Sequence, residues 1–229
     1  MSLAFTWLGH SAFALDIDGH TALIDPFLTG NPLASASADE VRAEIIFLSH
    51  AHGDHVGDTV AIARRTGATV VANFEICNWL SHKGVQHTHG QNPGGGHWHD
   101  FVHAKWTVAF HSSSFPDGSY GGEANGFVLT TRGGLRMYFA GDTALFSDMK
   151  LIGDLGLDVA FLPIGDNYTM GPDDSIEAVR FLRPRLVVPM HYKTFPLIDQ
   201  DAGSWANRVS SETDATPIVL DPGQTYYLR

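Results

Sequence analysis

The sequence predicts an α/β fold in a single domain, and three observations carry that prediction. Short apolar strands alternate with helical segments along the chain. One strand, Ile45-Ile46-Phe47-Leu48, is apolar without interruption, as expected where both faces of a sheet are covered. Across 229 residues there is no linker-like composition shift, charge block or internal repeat. The expected organisation is one domain over residues 1–229, made of two similar β-rich halves with outer helices.

Leu3 to Leu8, Ala12 to Ile17 and His20 to Ile24 read as strands, with Asp18-Gly19 as a hairpin turn. Leu28 to Ala38 is rich in small and turn residues and reads as irregular. After the apolar strand, Val56 to Arg65 reads as a helix stopped by Gly67. Ala68 to Ala72 reads as a strand and Phe74 to His82 as a helix. Gln91 to Gly96 is a loop or tight turn. Val102 to His111 reads as strands broken near Lys105. Gly126 to Thr131 and Leu135 to Ala140 make a hairpin around Arg132-Gly133-Gly134. Val159 to Leu162 and Leu186 to Val188 are further strands. Between them lies a helix, Ser175 to Leu182, capped by Asp173-Asp174. Ser204 to Ser210 is a last helix. Ile218 to Leu220 and Thr225 to Leu228 close the chain as strands.

Composition narrows the function classes. A hydrophobic fraction of 44% with only 17% charged residues supports a sizeable core and argues against wholesale disorder. The net charge of -11, with no Lys/Arg run, would repel a phosphate polyanion. Nucleic acid is therefore not an expected partner; a small molecule is. No apolar run is long enough to span a bilayer, so no membrane partner is expected. The N-terminus lacks a basic region and Gly9-His10-Ser11 interrupts its apolar stretch, so no signal peptide is expected. The single cysteine, Cys77, allows no intrachain disulfide and suits a reducing, cytoplasmic location. Among Phe74, Ile76 and Trp79 it reads as a small buried apolar residue rather than a nucleophile. Composition leaves both a monomer and a homo-oligomer open.

The segment His50-Ala51-His52-Gly53-Asp54-His55 carries the chemistry. His50 and His52 lie two apart in extended chain, so both imidazoles face one side and can reach one ion. Gly53 lets the chain turn, and Asp54 and His55 point into a neighbouring space at the start of a helix. Burying such a cluster with no ion would be costly. Three later residues complete the set: His111 after an apolar Trp106 to Phe110 strand, Asp142 in Ala140-Gly141-Asp142-Thr143, and His191 in Pro189-Met190-His191-Tyr192. Ligands at strand ends on a rigid sheet are where a catalytic site is usually built.

With these residues in hand, the chain resembles the metallo-β-lactamase superfamily, in particular the branch of metal-dependent hydrolases similar to L-ascorbate-6-phosphate lactonase. The matching pieces run in order along the chain: Leu8-Gly9-His10-Ser11, Ile24-Asp25-Pro26-Phe27, the His50 to His55 segment, His111-Ser112-Ser113-Ser114, Ala140-Gly141-Asp142-Thr143, Leu162-Pro163-Ile164-Gly165 and Pro189-Met190-His191-Tyr192. The resemblance implies a four-layer αββα sandwich with two divalent metal ions at one edge between the sheets. It implies that His50, His52 and His111 bind the first ion, that Asp54, His55 and His191 bind the second, and that Asp142 bridges them. Zinc ranks first on frequency and manganese second, because the lactonase branch uses manganese; iron and nickel also suit imidazole and carboxylate.

Two ions roughly 3.5–4 Å apart share a bridging water and lower its pKa. The resulting hydroxide is the expected nucleophile, with Asp54 orienting it. The expected reaction is hydrolysis of an ester, lactone, amide or phosphodiester of a small molecule. His10 is a catalytic candidate that would contact substrate or protonate a leaving group; a satisfied structural histidine fits it equally. Asp25 either holds a ligand imidazole or caps a turn. Asn167, Tyr168 and Thr194 are candidates for the pocket lining, and Tyr168 and Phe195 read as core or pocket wall. Ser112 to Ser114 read as strand-end hydrogen bonders. The six histidines from His82 to His103 read as solvated loop positions rather than a third metal site. Other functions on the same ligand set are a di-iron redox enzyme, a phosphodiesterase or nuclease, and a binding module that senses metal.

Overall fold

The computed structural model describes residues 2–228. β1 (Leu3–Gly9), β2 (Ala12–Ile17) and β3 (His20–Ile24) form an antiparallel meander. β4 (Ile45–Phe47) lies parallel to β3. α1 (Gly53–Val56) and α2 (Thr59–Thr66) lead to β5 (Thr69–Ala72), and α3 (Phe74–His82) leads to β6 (Thr88–Gly90). β5 and β6 extend the parallel part of this sheet.

The second half begins with the antiparallel strands β7 (Gly96–His99), β8 (Val102–Val108), β9 (Asn125–Thr131) and β10 (Arg136–Phe139). α4 (Met149–Gly153) precedes β11 (Val159–Pro163), α5 (Pro172–Leu182) precedes β12 (Leu186–Met190), and α6 (Ala202–Glu212) precedes β13 (Thr216–Pro217). Strands β10 to β13 run parallel. β14 (Thr225–Leu228) returns to pair with β1. The sheets run β14-β1-β2-β3-β4-β5-β6 and β13-β12-β11-β10-β9-β8-β7. Among the described residues no helix is long and apolar enough to cross a membrane.

Period-two side-chain alternation makes the layers. Ile45, Phe47 and Val71 join the core between the sheets, while Ile46, Leu48, Val70 and Ala72 face α2 and α3 through Ile62, Ile76 and Leu80. Aromatic rings lock sheet to sheet: Phe13 meets Phe161 at 4.8 Å, Phe5 meets Phe161 at 5.2 Å and Phe47 meets Phe127 at 5.6 Å between ring centroids. Each such buried ring contributes about 1.5–3 kcal/mol. α5 and α6 cover the second sheet with Ile176, Val179, Leu182, Trp205 and Val209. Helices therefore lie outside both sheets, which is the αββα arrangement.

The structure corrects several boundaries. The helix expected over Val56 to Arg65 is two pieces. Gly57 breaks it at φ 40°, where a Cβ would stand 2.6 Å from Pro26 O and Phe27 Cα. β8 is continuous through Lys105, because it pairs without shift with both β7 and β9, and it ends before His111. α5 is capped by Gly171 with Pro172 at its first position, so Asp173 and Asp174 sit in the first turn rather than at the cap. The strand expected at Ile218 to Leu220 is Thr216–Pro217 instead, although Ile218 N–H still donates to Val187 O at 2.8 Å. α4, β6 and β7 were not expected at all. The two strands lie in the segment read as solvated loop.

Candidate metal centre

Strand ends deliver the chemistry-bearing side chains to one place. His10 follows β1, Asp25 follows β3, Ser49 and His50 follow β4, Asp142 follows β10 and His191 follows β12. Asp54 and His55 lie in α1, and His111 lies just beyond β8. The carboxyl ends of strands in an open sheet are the usual place for a ligand crevice.

Every metal ligand anticipated from sequence arrives there. Ligand atoms of His50, His52 and His111 lie within 4.8 Å of one another, and so do those of His10, Asp54, His55 and His191. Asp142 stands between the two groups. Its Oδ2 is 3.0 Å from His191 Nε2, 3.3 Å from His55 Nε2, 3.6 Å from His111 Nε2 and 3.9 Å from His50 Nε2. The donor set fits cations. His55 Nε2, His191 Nε2 and Asp142 Oδ1 are buried without a hydrogen-bond partner, which is costly unless a cation takes their lone pairs. Gly141, at φ 62°, makes the turn that presents Asp142; a Cβ there would stand 2.6 Å from Asn125 O.

Asp25 organises the rings from behind. Its Oδ1 accepts from Ser49 N–H at 2.8 Å, and its Oδ2 accepts from Ser49 Oγ at 2.6 Å and from His55 Nδ1 at 2.8 Å. Ser49 Oγ has then spent its only proton, so it accepts from His50 Nδ1 at 2.9 Å. One carboxylate thereby orients two imidazoles so that each turns its Nε2 toward Asp142. Ser49 escaped the sequence reading, since a serine before a histidine carries no signal of its own.

The electrostatics follow from burial and crowding. Burial alone would raise the Asp142 carboxyl, but the charges of His191 and His55 outweigh it and hold it well below the usual range. Asp54 behaves alike: burial raises it, and its contact with His10 more than reverses that. Burial, followed by repulsion from His55, keeps His50 well below the ordinary imidazole value. Burial also favours neutral His55, yet Asp142 and Asp25 raise it well above that value. Burial and then His191 push His10 down to about 4. Burial pushes the Cys77 thiol up to about 11, which leaves it unreactive.

His10 is fully buried. Its Nε2 lies 3.3 Å from Asp54 Oδ2, and its Nδ1 is 2.7 Å from Thr194 Oγ1. It touches Asp54 rather than the open cleft, and Thr194 holds His10 rather than lining the cleft. The cleft has a volume of about 560 Å³ and is lined by His52, Asp54, His111, Ser112, Asp142, Tyr168, His191 and Phe195. Tyr168 and Phe195 thus supply its apolar wall, and Asn167 is not part of it. Ser113 hydrogen-bonds backbone, as expected of it, while Ser112 Oγ lies 3.3 Å from His52 Nε2.

Comparison with known proteins shows the family and the fold. A family model described as "Beta-lactamase superfamily domain" matches residues 4–191. A UPF0173 metal-dependent hydrolase of Thermus thermophilus is 50% identical over 223 residues, covering 97% of this chain and 97% of that protein. Another from Symbiobacterium thermophilum is 50% identical over 226 residues, covering 97% of this chain and 98% of that protein. The solved structure of Igni18, a metallo hydrolase from the archaeon Ignicoccus hospitalis, superposes with a TM-score of 0.92 at 38% identity, covering 100% of this chain and 99% of that one.

Proposed function

The chain belongs to the β-lactamase superfamily, and from that premise we propose that it is a metal-dependent hydrolase with a two-ion centre acting on a small neutral ester or lactone. The observation that carries the reading is Asp142 Oδ2 lying between the His50/His52/His111 group and the Asp54/His55/His191 group. His50, His52 and His111 would hold one ion and Asp54, His55 and His191 the other, with the Asp142 carboxylate available to both groups. Bound there, a pair of divalent cations supplies a water of lowered pKa and a Lewis acid for the scissile oxygen. Zinc or manganese suits the donors.

This chain's own residues do the rest. Asp54, ionised and partly open to the cleft, accepts a hydrogen bond from an incoming water and orients it. His10 acts as a positioning residue behind Asp54. Tyr168 and Phe195 exclude water and hold the apolar part of the substrate. The cleft has the volume of a small-molecule site. Among the described residues no lysine or arginine lines it, which favours a carboxyl ester or lactone over a phosphodiester. The lone cysteine is consistent with work in the cytoplasm.

The test is a metal analysis followed by a panel of lactones, esters, thioesters and phosphodiesters. Turnover of a lactone or ester, lost on chelation and restored by zinc or manganese, is the expected result. Undiminished hydrolysis by the His50→Ala/His52→Ala variant would overturn the assignment. Iron content without any hydrolytic turnover would point instead to a di-iron redox enzyme.

A further inference from the structure

We propose a third metal site, made by His89, His97 and His99, that clips the free edge of one sheet to the free edge of the other. One ring nitrogen from each lies within 4.8 Å of the others, and the trio shares no residue with the groups around Asp142. The ring centroids are 4.4, 4.7 and 4.9 Å apart.

The topology explains the convergence. β6 is the edge strand of the first sheet and β7 is the edge strand of the second. The chain passes from one to the other through a turn at residues 91–95. His97 and His99 lie two apart on β7, so both imidazoles leave the same face of that strand. His89, at the middle of β6, meets them from the other sheet.

A neighbouring amide prepares one ligand. Gln91 Nε2 donates to Ala104 O at 3.1 Å, which turns its Oε1 toward His99 Nε2 at 2.7 Å. An amide oxygen only accepts, so His99 Nε2 carries the proton and Nδ1 keeps its lone pair. Metal-binding imidazoles are commonly held this way. Gln91 and His99 are buried, while His97 is exposed, so one side stays open to solvent for a water ligand. Bonds of about 2.0–2.1 Å in a tetrahedral site need only a small inward movement of these nitrogens. Three imidazoles without a thiolate suit Zn²⁺, Cu²⁺ or Ni²⁺ rather than Mg²⁺ or Ca²⁺.

The experiment compares the metal-loaded protein with His97→Ala and with His89→Ala/His97→Ala, using Zn²⁺ as the probe. Zn²⁺ per chain is measured after equilibrium dialysis, and melting temperature is followed as Zn²⁺ is added. The expected result is one equivalent fewer in both variants, with hydrolytic turnover unchanged. The wild-type melting temperature should rise on the last equivalent and the variants' should not. The comparison is a difference between proteins, so it holds whatever the Asp142 cluster contains. His97 is exposed, so its replacement leaves the fold intact. Gln91→Met keeps all three ligands and should weaken that equivalent about 10–100-fold. Equal Zn²⁺ content and equal melting curves in wild type and His97→Ala would overturn the site.

Discussion

His191 donates its backbone N–H to the carbonyl of His10 at 3.2 Å, and the two imidazoles lie 4.2 Å apart. The bond joins the end of β1 in one sheet to the end of β12 in the other. Trp7 Nε1 gives the same carbonyl a second donor at 2.8 Å. Both histidines sit in left-handed backbone, at φ 57° and 55°, a conformation costing about 1–3 kcal/mol that persists only where the surroundings enforce it. The Asp54/His55/His191 group is therefore assembled by the docking of the two sheets. The His50/His52 pair is different, because a single loop presents both.

Gly165 sits against this junction. A Cβ there would stand 2.2 Å from His191 O and 3.3 Å from His191 Nδ1. Gly165→Ala should displace His191 and lower metal content at the Asp54/His55/His191 position, while the His50/His52/His111 position keeps its ion. Metal analysis of the folded variant measures this. Wild-type content in that variant would show that His191 is not a ligand.

Asp25 and Ser49 make separable predictions. Ser49→Ala removes the acceptor of His50 Nδ1 but leaves the Asp25–His55 bond in place. It should weaken the first ion alone by about 10–100-fold. Asp25→Asn disturbs both imidazoles and should weaken both ions. Titration with a chromophoric chelator distinguishes the two patterns. Equal effects of both variants on both ions would mean that the rings are oriented by something else.

Much of this site was legible because it is local or lies at strand ends. The His50 to His55 segment declares its spacing directly, and His111, Asp142 and His191 each follow an apolar strand. The hydrogen bond from Ser49 to Asp25 was not legible, since it depends on β3 and β4 being neighbours in register. The choice between the two readings of His10 was not legible for the same reason: its burial comes from packing against Phe27, His191 and Phe195, all distant in sequence. Strands β6 and β7 were missed because short edge strands rich in histidine and glycine show no apolar alternation. The break in the α1–α2 region needed the position of Pro26 and Phe27, which no local pattern contains.

Acid should destabilise the metal-free protein. His10 has its value lowered to about 4 in the fold, against 6.5 when unfolded. Between those limits the unfolded chain binds more protons, so folding stability falls as pH falls. His50, His52 and His111 are lowered as well and act in the same sense. Asp54 and Asp142, both held low, add a further loss at still lower pH. His55 is raised, so its contribution is fully present below 6.5 and does not vary in this window. The urea midpoint of chelator-treated protein should therefore drop from pH 6.5 to pH 4.5. A flat or rising midpoint would contradict the buried, neutral state of these rings.

Tyr168 and Phe195 separate substrate binding from chemistry. Both are partly exposed, and both line the cleft. Tyr168 rides on a loop whose neighbours Asp166 and Asn167 hold left-handed backbone at φ 62° and 54°, so the ring is aimed by a fixed turn. Phe195 offers neither a base nor a metal ligand. Their contact with substrate is equal in the ground and transition states, so removing them should raise KM with little change in kcat. Losing part of an apolar wall corresponds to about a 10-fold effect per ring, since each buried methylene contributes about 0.8 kcal/mol. Steady-state kinetics of Tyr168→Ala and Phe195→Ala on the best lactone or ester measures the split. A large loss of kcat at unchanged KM in either variant would place that ring in the chemistry and contradict its assignment as a wall.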